Sequence, residues 1–352
     1  MNDFCLKETC PIVGCLLGTA VGDSLGLPAE GLNATKARRF FRNGVRHRLV
    51  FGRGMLSDDT EQSLMVANAL IKHSLDAYKV QKALGRSLRW WMAALPAGVG
   101  LSTAKAIAKL WIGFPASCSG VRSAGNGAAM RSAVIGVFWA NDSEKRREFA
   151  RAACIVTHTD LRAIESALLV AEAAALAARH VPTNEVLERL SPLLASEEMH
   201  FRWDQLLRGL EAGDSVEAYA ASIGCERGVS GFAPNTVAVS LFAWLRHRGD
   251  FAESLSQVIF CGGDTDSVAA ITGAICGAEC RMAGIPRAWI NGIADWPRSV
   301  SCLEEVAKVL ASARTNEVSL QPPSLVWPAI PARNAVFLLI VLAHGFRRLL
   351  PF

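Results

Sequence analysis

Gly14, Gly18, Gly22 and Gly26 recur at intervals of four through GCLLGTAVGDSLG, and nothing else in this 352-residue chain restricts its fold as strongly. On an α-helix that spacing lines the glycines up as one smooth ridge. Each glycine costs a helix about 1 kcal/mol relative to alanine, so four in a stripe need a compensating reason. Close approach of a second backbone is such a reason. Gly273 and Gly277 repeat the spacing in the apolar run after Ser267, which predicts that the first helix and this late one cross near one another.

The rest of the chain also reads as helix. Ala- and Leu-rich segments recur at Glu61–Leu75, Leu161–His180, Asn235–Arg246 and Ser267–Ala283, and strict apolar/polar alternation is almost absent. Gly and Pro punctuate them at 96–100, 113–115 and 284–286. The expected class is all-α. No linker divides the chain into halves, so one compact domain is expected over residues 1–314. A Pro-rich strap and a last apolar helix, 315–352, would pack on it.

Apolar residues are 51% and charged residues 20% of the chain, which excludes a disordered polymer. The net charge of +5 comes from 37 basic and 32 acidic residues scattered without runs, so nucleic acid is not an expected partner. The ten cysteines include no CxxC pair and lie mostly in apolar stretches, which suits a reducing, cytoplasmic compartment. Residues 1–11 lack a signal-peptide pattern. The strongest apolar run, Ala335–Ala343, is far shorter than the roughly 20 residues of a spanning helix. It reads as a buried C-terminal segment, and no membrane is expected.

Four short motifs precede helical runs. Ser57-Asp58-Asp59-Thr60 leads into Glu61–Leu70, and Gly262-Gly263-Asp264-Thr265-Asp266-Ser267 leads into Val268–Ile275. Either alone fits helix capping, with Asp58 as N-cap and Glu61 completing a capping box. A cap needs one short acceptor, however, and each motif offers two carboxylates with hydroxyls beside them. Facing one another, they would gather four carboxylates, which requires cations between them. Hard oxygen donors without His or Cys point to two Mg²⁺ or Mn²⁺ ions, or Ca²⁺, rather than Zn²⁺. Ser123-Ala-Gly-Asn-Gly-Ala-Ala-Met-Arg131 opens a third helix start and suits a phosphate cradle or an ordinary loop. Thr157-His158-Thr159-Asp160 opens a fourth, capped by Thr159 or Asp160. Glu30, just past the glycine ridge, is either a site carboxylate or an exposed loop acid. The other histidines and the nine tryptophans read as structural.

Taken in order, GCLLGTAVGDSLGLPAE, SDDT, SAGNGAAMR, THTD and GFAPN…CGGDTDSVAAITGAICGAECRMAGIP resemble the ADP-ribosylglycohydrolase family over about residues 12–290. That family includes the dinitrogenase reductase-activating glycohydrolase and the ADP-ribosylarginine and ADP-ribosylserine hydrolases. The resemblance implies an all-α domain with a binuclear Mg²⁺ or Mn²⁺ centre at the bottom of an ADP-ribose cleft. It implies Ser57, Asp58 and Asp59 as ligands of one ion, and Asp264 and Ser267 as ligands of the other with Asp266 bridging. Glu30 would be the general base, with Asp58 and Asp59 the other catalytic candidates. Gly125, Asn126, Gly127, Ala128 and Met130 would line the diphosphate and distal ribose, beside His158. Because the SAGNG loop lacks the aromatic some members carry, adenine stacking is expected from Trp111 or Phe114.

The activity implied is release of ADP-ribose from a modified protein side chain, arginine first, reversing a mono-ADP-ribosyltransferase. Two alternatives remain: the same chemistry on O-linked serine, or an immunity-type protein that neutralises a transferase toxin by hydrolysis or by binding it. The ends, residues 1–11 and 315–352, would then carry the partner contact.

Overall fold

In the computed structural model, which describes residues 10–316 and 319–349, the chain is mostly helical and has no sheet among those residues. The first helices are α1 (Pro11–Gly26), α2 (Ala34–Phe40), α3 (Asp58–His73), α4 (Ala77–Ala93), α5 (Leu101–Trp111) and α6 (Ala133–Phe138). There follow α7 (Ser143–Ile155), α8 (Leu161–Ala178), α9 (Thr183–Leu190), α10 (Glu197–Ala212), α11 (Val216–Ser222) and α12 (Ala233–Arg246). The last are α13 (Phe251–Phe260), α14 (Thr265–Cys280), α15 (Arg287–Gly292), α16 (Val300–Asn316) and α17 (Ala329–Leu349). All four helical segments read from composition are present within a few residues of their expected ends.

The glycine ridge organises the centre. Every residue of α1 after Pro11 is buried, as is α14 from Thr265 to Glu279. A Cβ on Gly14 or Gly18 would stand 2.0 Å from the carbonyl oxygen of Gly277 or Gly273, respectively. At Gly22 it would meet Ala269 O at 2.0 Å, and at Gly26 Thr265 O at 2.3 Å. Numbers rise along one helix as they fall along the other, so α1 and α14 are antiparallel and in backbone contact. The C-terminal end of α1 is thereby carried to the N-terminal end of α14. Around this pair, α8 contributes an alanine-rich body that is buried from Leu169 to Ala178, its start capped by Asp160 accepting from Arg162 N.

The C-terminal region differs from the sequence expectation. Helix α16 runs past residue 314 to Asn316, and the strap that follows is tied to α3 where Leu320 N donates to Ile71 O at 2.8 Å. Helix α17 starts before Pro331, which falls in the first turn, where no N–H donor is needed. Ala335–Ala343 is not a buried segment: Phe337 is covered, while Val336, Leu338, Leu339 and Leu342 are exposed. Two helical windows, Pro11–Ala29 and Ala329–Phe346, are long and apolar enough to cross a membrane by length and composition. The first is wholly buried in the fold and the second only 28% buried, so one face of α17 is open. Residues 1–9, part of the expected partner-contact ends, lie outside the described residues.

Candidate active site

Delivery of α1 against α14 sets the site. Thr265 Oγ1 donates to Gly26 O at 2.8 Å, closing the end of the crossing. Just beyond it, Gly31 N donates to Gly263 O and Gly263 N to Leu32 O, both at 2.7 Å. Gly262 and Gly263 both have positive φ, +71° and +87°. A Cβ on Gly263 would lie 2.1 Å from Val229 O, so the turn before Asp264 admits only glycine. Glu30 is therefore held beside residues 262–266 by backbone pairing.

Helix α3 arrives from the other side. Its N-cap is Ser57 rather than Asp58, and Glu61 turns away to bond Trp91 Nε1 and Arg298 Nη1 instead of closing a capping box. The carboxylate that satisfies the start of the helix comes from α1: Asp23 accepts from Ser57 N, Thr60 N and Thr60 Oγ1. Asp23 is fully buried, and burial pushes its carboxyl up to about 6 against the pull of those hydrogen bonds. With Ser57 Oγ accepting from Asp59 N, and Asp23 from Ser57 N and Thr60 N, the carboxylates of Asp58 and Asp59 are released from that duty. Asp264 is likewise at the N-cap of α14 without making a side-chain cap bond; its Oδ2 accepts from Asn126 Nδ2 at 2.8 Å.

The two acidic motifs meet through Asp59, whose Oδ2 accepts from Ser57 Oγ at 3.3 Å and Ser267 Oγ at 3.2 Å. Burial, then repulsion from neighbouring carboxylates, holds Asp58, Asp59 and Asp266 well above the usual carboxylate range. Asp59 Oδ1 and Asp266 Oδ1 are buried oxygens with no hydrogen-bond partner. Orphaned carboxylate oxygens from both motifs, amid uncompensated negative charge, fit hard divalent cations. Among the described residues no three His, Cys, Asp or Glu side chains form a finished metal cage, so the fit lies in donor chemistry and charge.

These groups floor a cavity of about 340 Å³ whose wall includes Glu30, Ser57, Asp58, Asp264, Asp266 and Ser267. No Lys or Arg is among the described residues that line it. The opposite wall is the short 3₁₀ turn Asn126–Arg131, docked by Asn126 N to Gly231 O at 3.0 Å and Ala233 N to Ala124 O at 2.8 Å. Gly125, Asn126, Gly127 and Met130 face the cavity. Ala128 does not: three residues per turn rotate it to the core side, against Cys154, Ala163 and Ala167. Asp59 stands behind the wall, 1% exposed.

His158 also lines the cavity beside the turn, and Cβ atoms on Gly125 or Gly127 would come within 3.2 Å of its ring. Burial, with Arg131 adding to it, lowers its pKa to about 3, so the imidazole is neutral. Arg131 is fully buried and staples the turn to three neighbours, donating to Gln62 Oε1, Gly127 O, Ala153 O and Thr157 Oγ1. Trp111 and Phe114 are not in the wall. Trp111 packs edge-on to Trp90 on the outward face of α5, and Phe114, in the loop after that helix, lies by Lys109. The one Phe, Tyr or Trp among the described lining residues is Phe337 of α17.

Sequence reasoning missed Asp23, Arg131 and Phe337. An acid inside the glycine ridge was the available signal for Asp23, and an Arg ending an otherwise apolar turn was that for Arg131.

The model of the ADP-ribosylglycohydrolase family matches residues 11–319. The chain belongs to the ADP-ribosylglycohydrolase family. An uncharacterised protein of Archaeoglobus fulgidus is 32% identical over 311 residues, covering 87% of this chain and 97% of that one. The ADP-ribosylhydrolase ARH3 of Gallus gallus is 26% identical over 328 residues, covering 78% and 87%. The corresponding protein of Mus musculus is 28% identical over 202 residues, 49% of this chain and 54% of its own. A solved structure described as an ADP-ribosylglycohydrolase-related protein complex superposes with a TM-score of 0.64 at 28% identity, covering 88% of this chain and 99% of that one. Membership of this family supports hydrolase activity. Every cavity residue named above lies inside the family-matched span except Phe337.

Proposed function

We propose that this ADP-ribosylglycohydrolase is a divalent-cation-dependent enzyme that releases ADP-ribose from modified protein side chains, arginine-linked ones first, and so reverses a mono-ADP-ribosyltransferase. The observation that carries the reading is a cavity where two acidic helix starts, bearing orphaned buried oxygens, face a glycine-opened turn with no lysine or arginine among the described lining residues. Ser57, Asp58 and Asp59 on one side, and Asp264, Asp266 and Ser267 on the other, would hold two Mg²⁺ or Mn²⁺ ions. Bound there, the cations would neutralise the carboxylates and grip vicinal hydroxyls of the distal ribose.

The chain's own groups then have distinct tasks. Gly125 and Gly127 leave room for the diphosphate, and Asn126, fixed by Asp264 and Thr236, holds that turn against the ion site. Neutral His158, in the wall beside it, adds no charge. Glu30, exposed at the cavity lip, takes a proton from the attacking water as the water oxygen bonds to C1″ and the C1″–side-chain bond breaks, and that proton is then passed to the leaving side-chain atom. With Asp58, Asp264 and Asp266 neutralised by the ions, Glu30 keeps its negative charge at the lip, which favours a cationic leaving side chain such as a guanidinium.

The test is release of ADP-ribose from arginine-, serine- and glutamate-linked conjugates, with Mg²⁺, with Mn²⁺ and with chelator. Arginine-linked conjugate should be cleaved in a metal-dependent way. Glu30→Gln should lower kcat by roughly 10² to 10⁴ and leave ADP-ribose affinity within a few fold. Full turnover by that variant would remove Glu30 as the base and move suspicion to Asp58 or Asp59. Cleavage of serine linkages alone would reassign the linkage. Protection from a cognate transferase without any turnover would replace hydrolysis with an immunity role by binding.

A further inference from the structure

Helix α17 begins at Ala329, beyond the end of the family match at residue 319, yet it touches the Glu30 turn directly. Arg333, Phe337, Val341 and His344 fall at successive steps of four, four and three, so they form one stripe along the helix. Arg333 anchors the stripe: it is buried, pairs with Asp295 and Glu61, and donates to Leu56 O, the residue before Ser57. Its guanidinium lies 4.4 Å from the centroid of the Phe337 ring. Phe337, 3% exposed, packs with Leu27, Leu49 and Met55. Val341 joins it in the cavity wall. At the far end, His344 Nε2 lies 2.9 Å from Pro28 O, where the carbonyl can only accept and the ring N–H donates.

Leu27 and Pro28 belong to the 3₁₀ turn Leu27–Ala29 that delivers Glu30. Glu30 is exposed and stands in a turn, so the placement of its backbone is set by what holds this short segment. From one side it is held by the pairing of Gly31 and Leu32 with Gly263. The other side is covered by α17.

We infer that α17 is a brace which fixes the Glu30 turn from outside the family-matched fold, with His344 and Phe337 as positioning residues. The inference rests on the reading of Glu30 as the base. His344 contacts Pro28 and not the cavity wall, so it acts through the turn. Loss of its hydrogen bond lets the carboxylate stray from the attacking water, which lowers kcat while leaving the binding surface for ADP-ribose in place.

The experiment uses the full chain and three forms: wild type, His344→Ala, and His344→Gln, whose side-chain amide can donate from nearly the same place. Amide hydrogen exchange of residues 29–32 is measured beside kcat and KM on the best-cleaved ADP-ribosyl conjugate. Expected for His344→Ala are exchange at 29–32 faster by about tenfold, kcat lower by about tenfold and KM within about twofold, with His344→Gln restoring most of both losses. Unchanged exchange and kcat in His344→Ala would overturn the proposal. So would equal losses in the Ala and Gln variants, which would mark a packing role only. If the wild type cleaves no conjugate at all, the functional reading fails, and the exchange data alone decide the brace.

Discussion

Gly18→Ala is the sharpest test of the idea that the glycine ridge builds both the core and the site. The added Cβ would stand 2.0 Å from Gly273 O, where ordinary contact needs at least 3.4 Å, and the obstacle is backbone on both sides. Helices α1 and α14 must therefore part by about 1 Å or more, because packed interiors do not absorb such an overlap locally. Overpacking of this kind costs about 1–3 kcal/mol, and more where backbone is the obstacle. Against it stands a gain of about 1 kcal/mol from replacing glycine by alanine in a helix. The overlap wins, and a net loss of about 2 kcal/mol is expected in urea unfolding. Gly345→Ala in α17 is the matched control: its Cβ would meet nothing within 4 Å, so it should stabilise by up to about 1 kcal/mol. The same substitution in the same secondary structure thus changes sign with the neighbour. Because the crossing carries Gly26 to Thr265, Gly18→Ala should also weaken Mg²⁺ binding by calorimetry, by about tenfold. An unchanged urea midpoint together with undiminished ion binding in Gly18→Ala would refute the reasoning.

Two further outcomes are expected. Asp59→Asn and Asp266→Asn each remove one buried carboxylate whose charge is held unfavourably, so the metal-free variants should melt higher than metal-free wild type. They should also lose the rise in Tm that Mg²⁺ or Mn²⁺ produces in the parent, and a full ligand-induced rise in both would contradict the ion site. His158 gives the pH dependence: its folded pKa is lowered to about 3, so on acidification from about 6.5 the unfolded chain takes a proton that the folded chain refuses. Stability should fall in that window by at most about 1.4 kcal/mol per pH unit from this group. His158→Gln should flatten that share of the loss between pH 6.5 and 5, seen as a smaller shift in urea midpoint; an identical shift would count against a buried neutral imidazole.

What local pattern determined is clear at the ridge, at the helices and at the two acidic motifs. Spacing of four along GCLLGTAVGDSLG and again at Gly273 and Gly277 is enough to predict the crossing, since only a second backbone rewards four glycines in one stripe. Helix ends followed from Gly and Pro because φ restriction and a missing N–H act within one or two residues. What the pattern could not decide was which carboxylate caps and which stays free. Asp58 and Ser57 are equally good N-caps by local chemistry; Ser57 takes the place because Asp23, on another helix, satisfies Ser57 N and Thr60 N. The same distance in sequence hid Arg131, whose partners lie on α3, α7 and the loop before α8. It also hid the turn of Ala128 toward the core and of Trp111 and Phe114 away from the cavity. Most of all it hid α17, whose apolar run read as burial. Only the packed chain shows that one stripe of that helix is covered by the Glu30 turn and the opposite one is open. Burial and hydrogen-bond partnership are properties of pairs of segments, and a single segment cannot specify its partner.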